Sequence, residues 1–392
     1  MRQRTLYSAL LGAGLLLAAA CSNPNKAADS STPAPAGTST AASPAVSSTA
    51  DTGGTPSQSG TQSGPAGSGS MTASAAPGAA AQTVGAGIPK VDESKKLSIG
   101  FFGFAKANSF ALASYDGVEE YAKAHNATAE FVDPNFDAQT QVNQLQDAVT
   151  SKRYDIIIVQ ANDGTAVVPP IKAAVAAGIT VVVEFTPIGT DYSTTKPQVP
   201  GTITLINTPV ENGVALGNMG IEACKSKNLN PCNVAYLEGF KTLPLDNART
   251  KAVLDTVGAD PSVKVVADVE GGYTQDAGRK AMQDILQAHP DVNVVMGSSQ
   301  AIAGAAGLTK GKDIMLIGNG GSRQAIDAVK SGQWYGTWAL PAKSVGAQSA
   351  ALGLAKARGG SVSDDNKAEL LAPNMGPVTA ANAAGVTGEY DE

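Results

Sequence analysis

Asp155-Ile156-Ile157-Ile158-Val159-Gln160 is an apolar run closed by a polar residue, and Thr180-Val181-Val182-Val183-Glu184-Phe185 is another of the same kind. Between them, Val168 to Ala177 carries helical periodicity and stops at Gly178. Val and Ile runs with no polar alternation are strands buried on both faces, and a helix between two of them makes a parallel pair. The rhythm extends upstream. Leu97 to Phe102 reads as a strand, Leu112, Tyr115, Val118 and Ala122 share a helical face, Thr128 to Val132 is a strand, and Val142, Leu145, Ala148 and Val149 mark a helix.

Downstream it starts again. Strands are expected at 202–206, 233–237, 263–269, 292–296 and 314–317. Helices are expected ending near Ala223, around Arg249 to Val257, through Ala281 to Leu286, and over Ala301 to Leu308 and Gln324 to Lys330. The fold class is therefore α/β, with two doubly wound parallel-sheet lobes. In such sheets ligands bind beyond the carboxyl ends of the strands, so function is expected in the loops there.

The start of the chain is of another character. Arg2 and Arg4 precede an apolar run from Leu6 to Ala20, shorter than the ~20 residues of a membrane-spanning helix and of signal-peptide length. Leu17-Ala18-Ala19-Ala20-Cys21 resembles a bacterial lipobox, with Ala18 where Leu is usual, which makes Cys21 the lipidation site; a plain secretory peptide is the other reading. From Ser22 to about Ile88 the chain is Ser, Thr, Pro, Ala, Gly and Gln, too poor in apolar groups to offset its ordering entropy. As a flexible coil it would span about 45 Å. The expected localisation is export, with lipid anchoring to the outer face of the cytoplasmic membrane.

Composition removes several function classes. The chain of 392 residues has 28 Lys and Arg against 34 Asp and Glu, a net charge of −6 with no basic cluster, so nucleic acid is not an expected partner. Two histidines and three cysteines do not supply a multi-ligand metal site, and no cofactor is expected. His125 and His289 fall at helix ends, outside any Ser-His-Asp context, and the chain is not read as an enzyme. Gly311-Lys312 fails the P-loop pattern, ending in Asp313, and Gly318-Asn319-Gly320 lacks the last glycine of a dinucleotide loop. With Cys21 assigned to lipid, Cys224 and Cys232 remain, flanking a short loop in an oxidising compartment, and a disulfide is predicted.

From about residue 96 to 371 the chain resembles the ribose- and galactose-type periplasmic sugar-binding proteins, the type I solute-binding fold. The residues that carry the likeness are Ile99-Gly-Phe-Phe-Gly-Phe104 with Asn108-Ser-Phe110, Tyr115-Asp-Gly117, Asp155 to Gln160, Ala177 to Val183, Ala288 to Val295, and Ile317-Gly-Asn-Gly-Gly321. The resemblance implies a periplasmic binding protein-like, type I architecture with a multi-strand hinge. Its parts would be a signal peptide (1–20), a disordered tether (21–92), an N-terminal lobe (93–203 and 339–368), a C-terminal lobe (204–338 and 369–380) and a tail (381–392). It implies a monomer that binds a small molecule by hinge closure and delivers it to an ABC permease in the membrane, or docks on a membrane receptor as a sensor.

The resemblance also implies a cleft. Asn108 and Phe110 would supply a polar contact and an aromatic face, and Gln160 would close the third strand. Glu184 and Phe185 fall on an Asp-Arg pair, Asn247 on an Arg, Tyr273 on an aromatic wall, Ser299 on an Asn, Gly320 on an Asp and Leu340 on a hinge Gln. Asn319 and Trp338 complete the expected set. Sugars are held by bidentate bonds to adjacent hydroxyls with an apolar face on a ring. Phe185, Asn247, Gly320 and Leu340 remove such groups, so a sugar or polyol and a less hydroxylated, aromatic or amphiphilic ligand are both expected. Three structural alternatives stand beside these roles: Phe110, Tyr273 and Trp338 as core aromatics, Glu184 as a surface acid, and Asn319 to Gly321 as a tight turn.

Overall fold

The Ile and Val runs sit where two parallel sheets need them. The computed structural model describes residues 83–371 and 375–392; the expected signal peptide, lipidation site Cys21 and tether up to residue 82 lie outside the described residues. The first lobe comprises β1 (Leu97–Phe102), α1 (Ser109–Ala124), β2 (Ala127–Val132), α2 (Ala138–Ser151), β3 (Ile156–Val159), α3 (Val168–Ala176), β4 (Thr180–Phe185) and β5 (Ile203–Ile206). The chain continues as α4 (Pro209–Ser226), β6 (Cys232–Glu238), α5 (Pro244–Gly258), β7 (Val263–Glu270), α6 (Gln275–Ala288), β8 (Val294–Ser298), α7 (Ser299–Thr309), β9 (Met315–Gly320), α8 (Arg323–Lys330) and β10 (Gly336–Ala339). It then returns through α9 (Ala342–Ala357) and β11 (Asp365–Lys367) and ends with β12 (Gly376–Thr379) and a short helical turn.

One sheet runs β11-β5-β4-β3-β1-β2 and the other β12-β10-β9-β8-β6-β7. Neighbouring strands are parallel except β10 and β12. The strand order is the same in both lobes, as the repeated rhythm of the sequence requires. All four residues of β3 are fully buried: Ile156 and Ile158 join the core beneath α1, whereas Ile157 and Val159 join the core beneath α2 and α3. That division is the period of two of a strand covered on both faces.

The chain passes between the lobes after β5, after β10 and between β11 and β12. On its return α9 lies directly on α1, and glycine permits the approach. A Cβ on Gly117 would stand 1.9 Å from the Lys343 carbonyl oxygen, and one on Gly346 would stand 1.8 Å from that of Ser114.

Several boundaries depart from expectation. β5 carries the chain in the first sheet through Ile206, past the division expected at 203. Residues 83–92, expected within the tether, are packed: Ile88 lies against the first core and the Gly85 amide donates to Gln348 Oε1 at 2.7 Å. Residues 381–392 are not a loose tail, since Ala383, Val386 and Tyr390 are buried. Cys224 at the end of α4 and Cys232 at the start of β6 are joined by the predicted disulfide, with Cα atoms 5.8 Å apart. His125 and His289 terminate α1 and α6, and the His125 ring stacks on Tyr121 and contacts Glu93.

Candidate functional site

The strand-to-helix loops of both lobes converge on one cavity of about 50 Å3. In the first lobe the loop after β1 reaches α1 through Asn108, whose Oδ1 accepts from the Ala111 amide at 2.9 Å and caps the helix. Two residues on, Phe110 projects into the cavity and meets Phe185, with ring centroids 4.9 Å apart. Phe185 ends β4 with a φ of +70°, a left-handed conformation that costs a bulky residue of order 1–3 kcal/mol and clusters at functional sites. It turns the ring against Phe104 as well, edge to face at 5.9 Å.

The second lobe answers with a charged pair under a phenol. Arg249 Nη1 donates to Asp246 Oδ1 at 2.8 Å and to the Tyr273 hydroxyl oxygen at 3.2 Å, and the Tyr273 hydroxyl donates to Asp246. Asp246 Oδ2 accepts from the Phe240 amide at 2.8 Å. Burial pushes the Asp246 carboxyl up, against the pull of the Arg249 guanidinium and these hydrogen bonds. Burial and then the Asp246 charge raise the Tyr273 phenol well above its ordinary value, which keeps it a neutral donor. Among these groups Arg249 Nε is buried without a partner while the residue lines the cavity.

The lobes touch through rings as well. Phe136 from the loop after β2 lies 5.1 Å from Phe240, edge on, and 6.1 Å from Tyr273 at an interplanar angle of 10°. On the wall near the crossings, Asn212 and Asn319 exchange amide hydrogen bonds of 3.1 and 3.0 Å. Beside them Trp338 lines the cavity with its Nε1 buried and unpartnered. Leu243, Leu245 and Leu340 add aliphatic wall, and Asn207, Gln300 and Tyr390 line it too. Small-molecule sites have volumes of roughly 300–1,000 Å3. With about 50 Å3 enclosed, a ligand enters this cleft only if lobes or rings move apart.

Of the residues expected at the site, Asn108, Phe110, Phe185, Tyr273, Asn319 and Trp338 line this cavity, together with Gly320 and Leu340. Four do not. Glu184 and Gln160 are fully buried behind the strand ends, where Gln160 Nε2 donates to Glu184 Oε1 at 2.8 Å and the Ser114 hydroxyl donates to the same oxygen. Strand alternation explains this: Glu184 shares a face with Val182, which packs beneath α1 and α9. Burial raises its carboxyl. Asn247 is exposed and donates to the Lys241 carbonyl at 3.1 Å. Because α5 begins at Pro244, two positions rotate the helix about 200°, and Arg249 faces the cleft in its stead. Ser299 is fully buried and faces the Tyr390 hydroxyl.

Phe104, Phe136, Asn212, Arg249, Gln300 and Tyr390 also line the cavity and lie outside the expected set. An Asp and an Arg three apart at a helix start, Asp246 and Arg249, were a signal for one of these; Tyr390 had none.

The sequence model of the periplasmic binding protein domain matches residues 99–361. The chain is 26% identical over 255 residues to the ribose import binding protein of Bacillus subtilis, covering 64% of this chain and 79% of that one. It is 23% identical over 282 residues to a xylitol-binding protein of Mycolicibacterium smegmatis, covering 66% and 73%. An ABC transporter solute binding protein from Mycobacterium smegmatis, solved with bound glycerol, superposes with a TM-score of 0.63 at 24% identity, covering 75% of this chain and 98% of its own.

Proposed function

Since the chain belongs to the periplasmic binding protein domain family, we propose that it is the extracytoplasmic binding component of an ABC importer, taking a small sugar or polyol between its lobes. The observation that carries this reading is the convergence of Phe110 and Phe185 from one lobe with Tyr273 and Arg249 from the other on a single cavity. Neither lobe holds both sets, so a ligand touching both is bound fully only when the lobes meet. Three passages of the chain between the sheets give the hinge on which closure turns. The names of relatives that bind ribose and xylitol support the ligand class. Within this reading Asn108, Phe110, Phe185, Tyr273, Asn319 and Trp338 contact the ligand, with Arg249 added. Gln160, Glu184, Asn247 and Ser299 do not.

A thermal-shift screen of the purified protein against sugars, polyols, amino acids and aromatic acids tests it, because a ligand bound by the native state alone raises the melting temperature. A sugar or polyol among the hits is the expected outcome; no hit among them overturns the ligand class. A specific observation favours a second reading. The cleft is walled by Phe104, Phe110, Phe136, Phe185, Tyr273 and Trp338, with one cation among its lining residues. Such walls suit a weakly hydroxylated or aromatic ligand, and hits confined to aromatic compounds would establish it.

Anchoring belongs to the same proposal: Cys21 carries the lipid, and residues up to 82 tether a monomeric head to the membrane. Cys21→Ser should release the protein from the membrane fraction; retention of that variant would remove the anchor from the account.

A further inference from the structure

We propose that Tyr390 is a specificity-determining residue of the cleft, delivered by residues 387–392 acting as a strap fastened to both lobes. The proposal deepens the binding reading above and rests on it.

The strap has an attachment on each side. From α8 of the second lobe, the Arg323 amide donates to the Tyr390 carbonyl at 2.9 Å, Nη2 to the Glu389 carbonyl at 3.0 Å and Nη1 to Asp391 Oδ2 at 2.7 Å. From α9, which packs in the first lobe, Ser344 donates to the Glu389 carboxylate through its amide at 2.8 Å and its hydroxyl at 2.6 Å. Pro341 gives α9 no side-chain cap of its own, so Glu389 supplies the anion that a helix N-terminus favours. Gly388 makes the close passage possible: a Cβ there would stand 2.4 Å from both the Arg323 nitrogen and the Ser322 carbonyl carbon.

Tyr390 is thereby carried inward and is 4% exposed. Its ring meets Phe110 of the first lobe edge to face at 6.1 Å, and its hydroxyl lies 3.4 Å from Ser299 Oγ. A Cβ on Gly320 would lie 2.5 Å from the Tyr390 hydroxyl oxygen. The phenol therefore occupies the volume that any side chain at 320 would need. A ligand reaching this end of the cleft meets an aromatic ring bearing one neutral hydroxyl, where a carboxylate would have gripped two adjacent hydroxyls. The preferred ligand presents a flat apolar face here and at most one hydroxyl or carbonyl.

The test uses the full chain with Tyr390→Ala, Tyr390→Phe and Ser344→Ala, each checked for fold by circular dichroism. D-ribose, xylitol and phenyl β-D-glucoside are titrated calorimetrically into each. Tyr390→Ala is expected to change the ratio of affinities between two of these probes at least tenfold. Ser344→Ala, outside the cavity, should move that ratio the same way but less, and Tyr390→Phe should hold it near wild type. Ratios unchanged within twofold in Tyr390→Ala overturn the proposal. If no probe binds wild type or variants, the sugar reading fails separately, and acrylamide quenching of Trp338 in a Trp334→Phe background decides the strap. Greater quenching on Tyr390→Ala supports the ring as a wall of the cleft, and unchanged quenching removes it.

Discussion

Gln300 and Ser109 join the two lobes directly, the Gln300 side-chain amide donating to the Ser109 hydroxyl oxygen at 3.1 Å. Each residue sits in the first turn of its helix, α7 in one lobe and α1 in the other, and Gln300 also lines the shared cavity. The bond exists only while these helix ends meet, so on the proposed hinge closure it would form in the closed arrangement alone.

Gln300→Ala should therefore weaken ligand binding about fivefold, the equivalent of about 1 kcal/mol for one hydrogen bond, and mainly by faster release. Calorimetry and stopped-flow dissociation against a hit from the thermal screen would show it. The melting temperature of the ligand-free protein should hardly move.

Phe110→Ala and Tyr273→Ala look equivalent in the sequence, each trimming one wall of the cleft with little loss of fold. The structure separates them. Phe110 is half-buried among rings, and its truncation should weaken binding at least tenfold with a small change in stability. Tyr273 also donates to Asp246 beside Arg249, so Tyr273→Phe, which keeps the ring, should still lower stability by about 1–3 kcal/mol. Urea unfolding of the two variants would reveal the difference.

Glu184 sets a pH dependence. Its native carboxyl is raised above the ordinary 4.5 by burial, with the Ser114 and Gln160 hydrogen bonds pulling against that. The native state then holds this proton more tightly than the unfolded chain. The stability it contributes is full below about 4.5 and is lost as pH rises toward the native value. Glu184→Gln keeps an acceptor oxygen for Ser114 and Gln160 and cannot ionise. Its urea midpoint should gain on wild type as pH rises above about 4.5, and a constant difference would contradict the shift.

Reduction of the Cys224–Cys232 bond, or Cys224→Ser with Cys232→Ser, should cost about 2–3 kcal/mol from the entropy of opening a short loop in the unfolded chain. Both cysteines are fully buried, so native protein should resist mild reductant and respond once urea is present. Unfolding curves with and without reductant would measure this.

The sheets were legible because burial on both faces leaves a mark in every residue, as in Ile156 to Val159. Side-chain direction was less so. Asn247 and Arg249 differ by two places on a helix whose start, Pro244, the periodicity put several residues late, and that rotation exchanges a surface amide for a cleft cation. Glu184 and Phe185 are adjacent on a strand, so one enters the core as the other meets the cleft. Tyr390 was illegible for a different reason: its neighbours Phe110, Ser299 and Gly320 are far away along the chain, and no local period connects them.

The seat of α9 on α1 has a consequence in time. The groove at Ser114 and Gly117 is closed by residues around Lys343 and Gly346, and α4 to β10 of the second lobe are synthesised in between. At roughly 5–20 residues per second that interval is on the order of ten seconds. During it, β1 to β5 have emerged while the hydrophobic face of α1 and the Glu184 carboxyl still lack their cover. The first half of the chain therefore cannot complete its packing until most of the second lobe has been made.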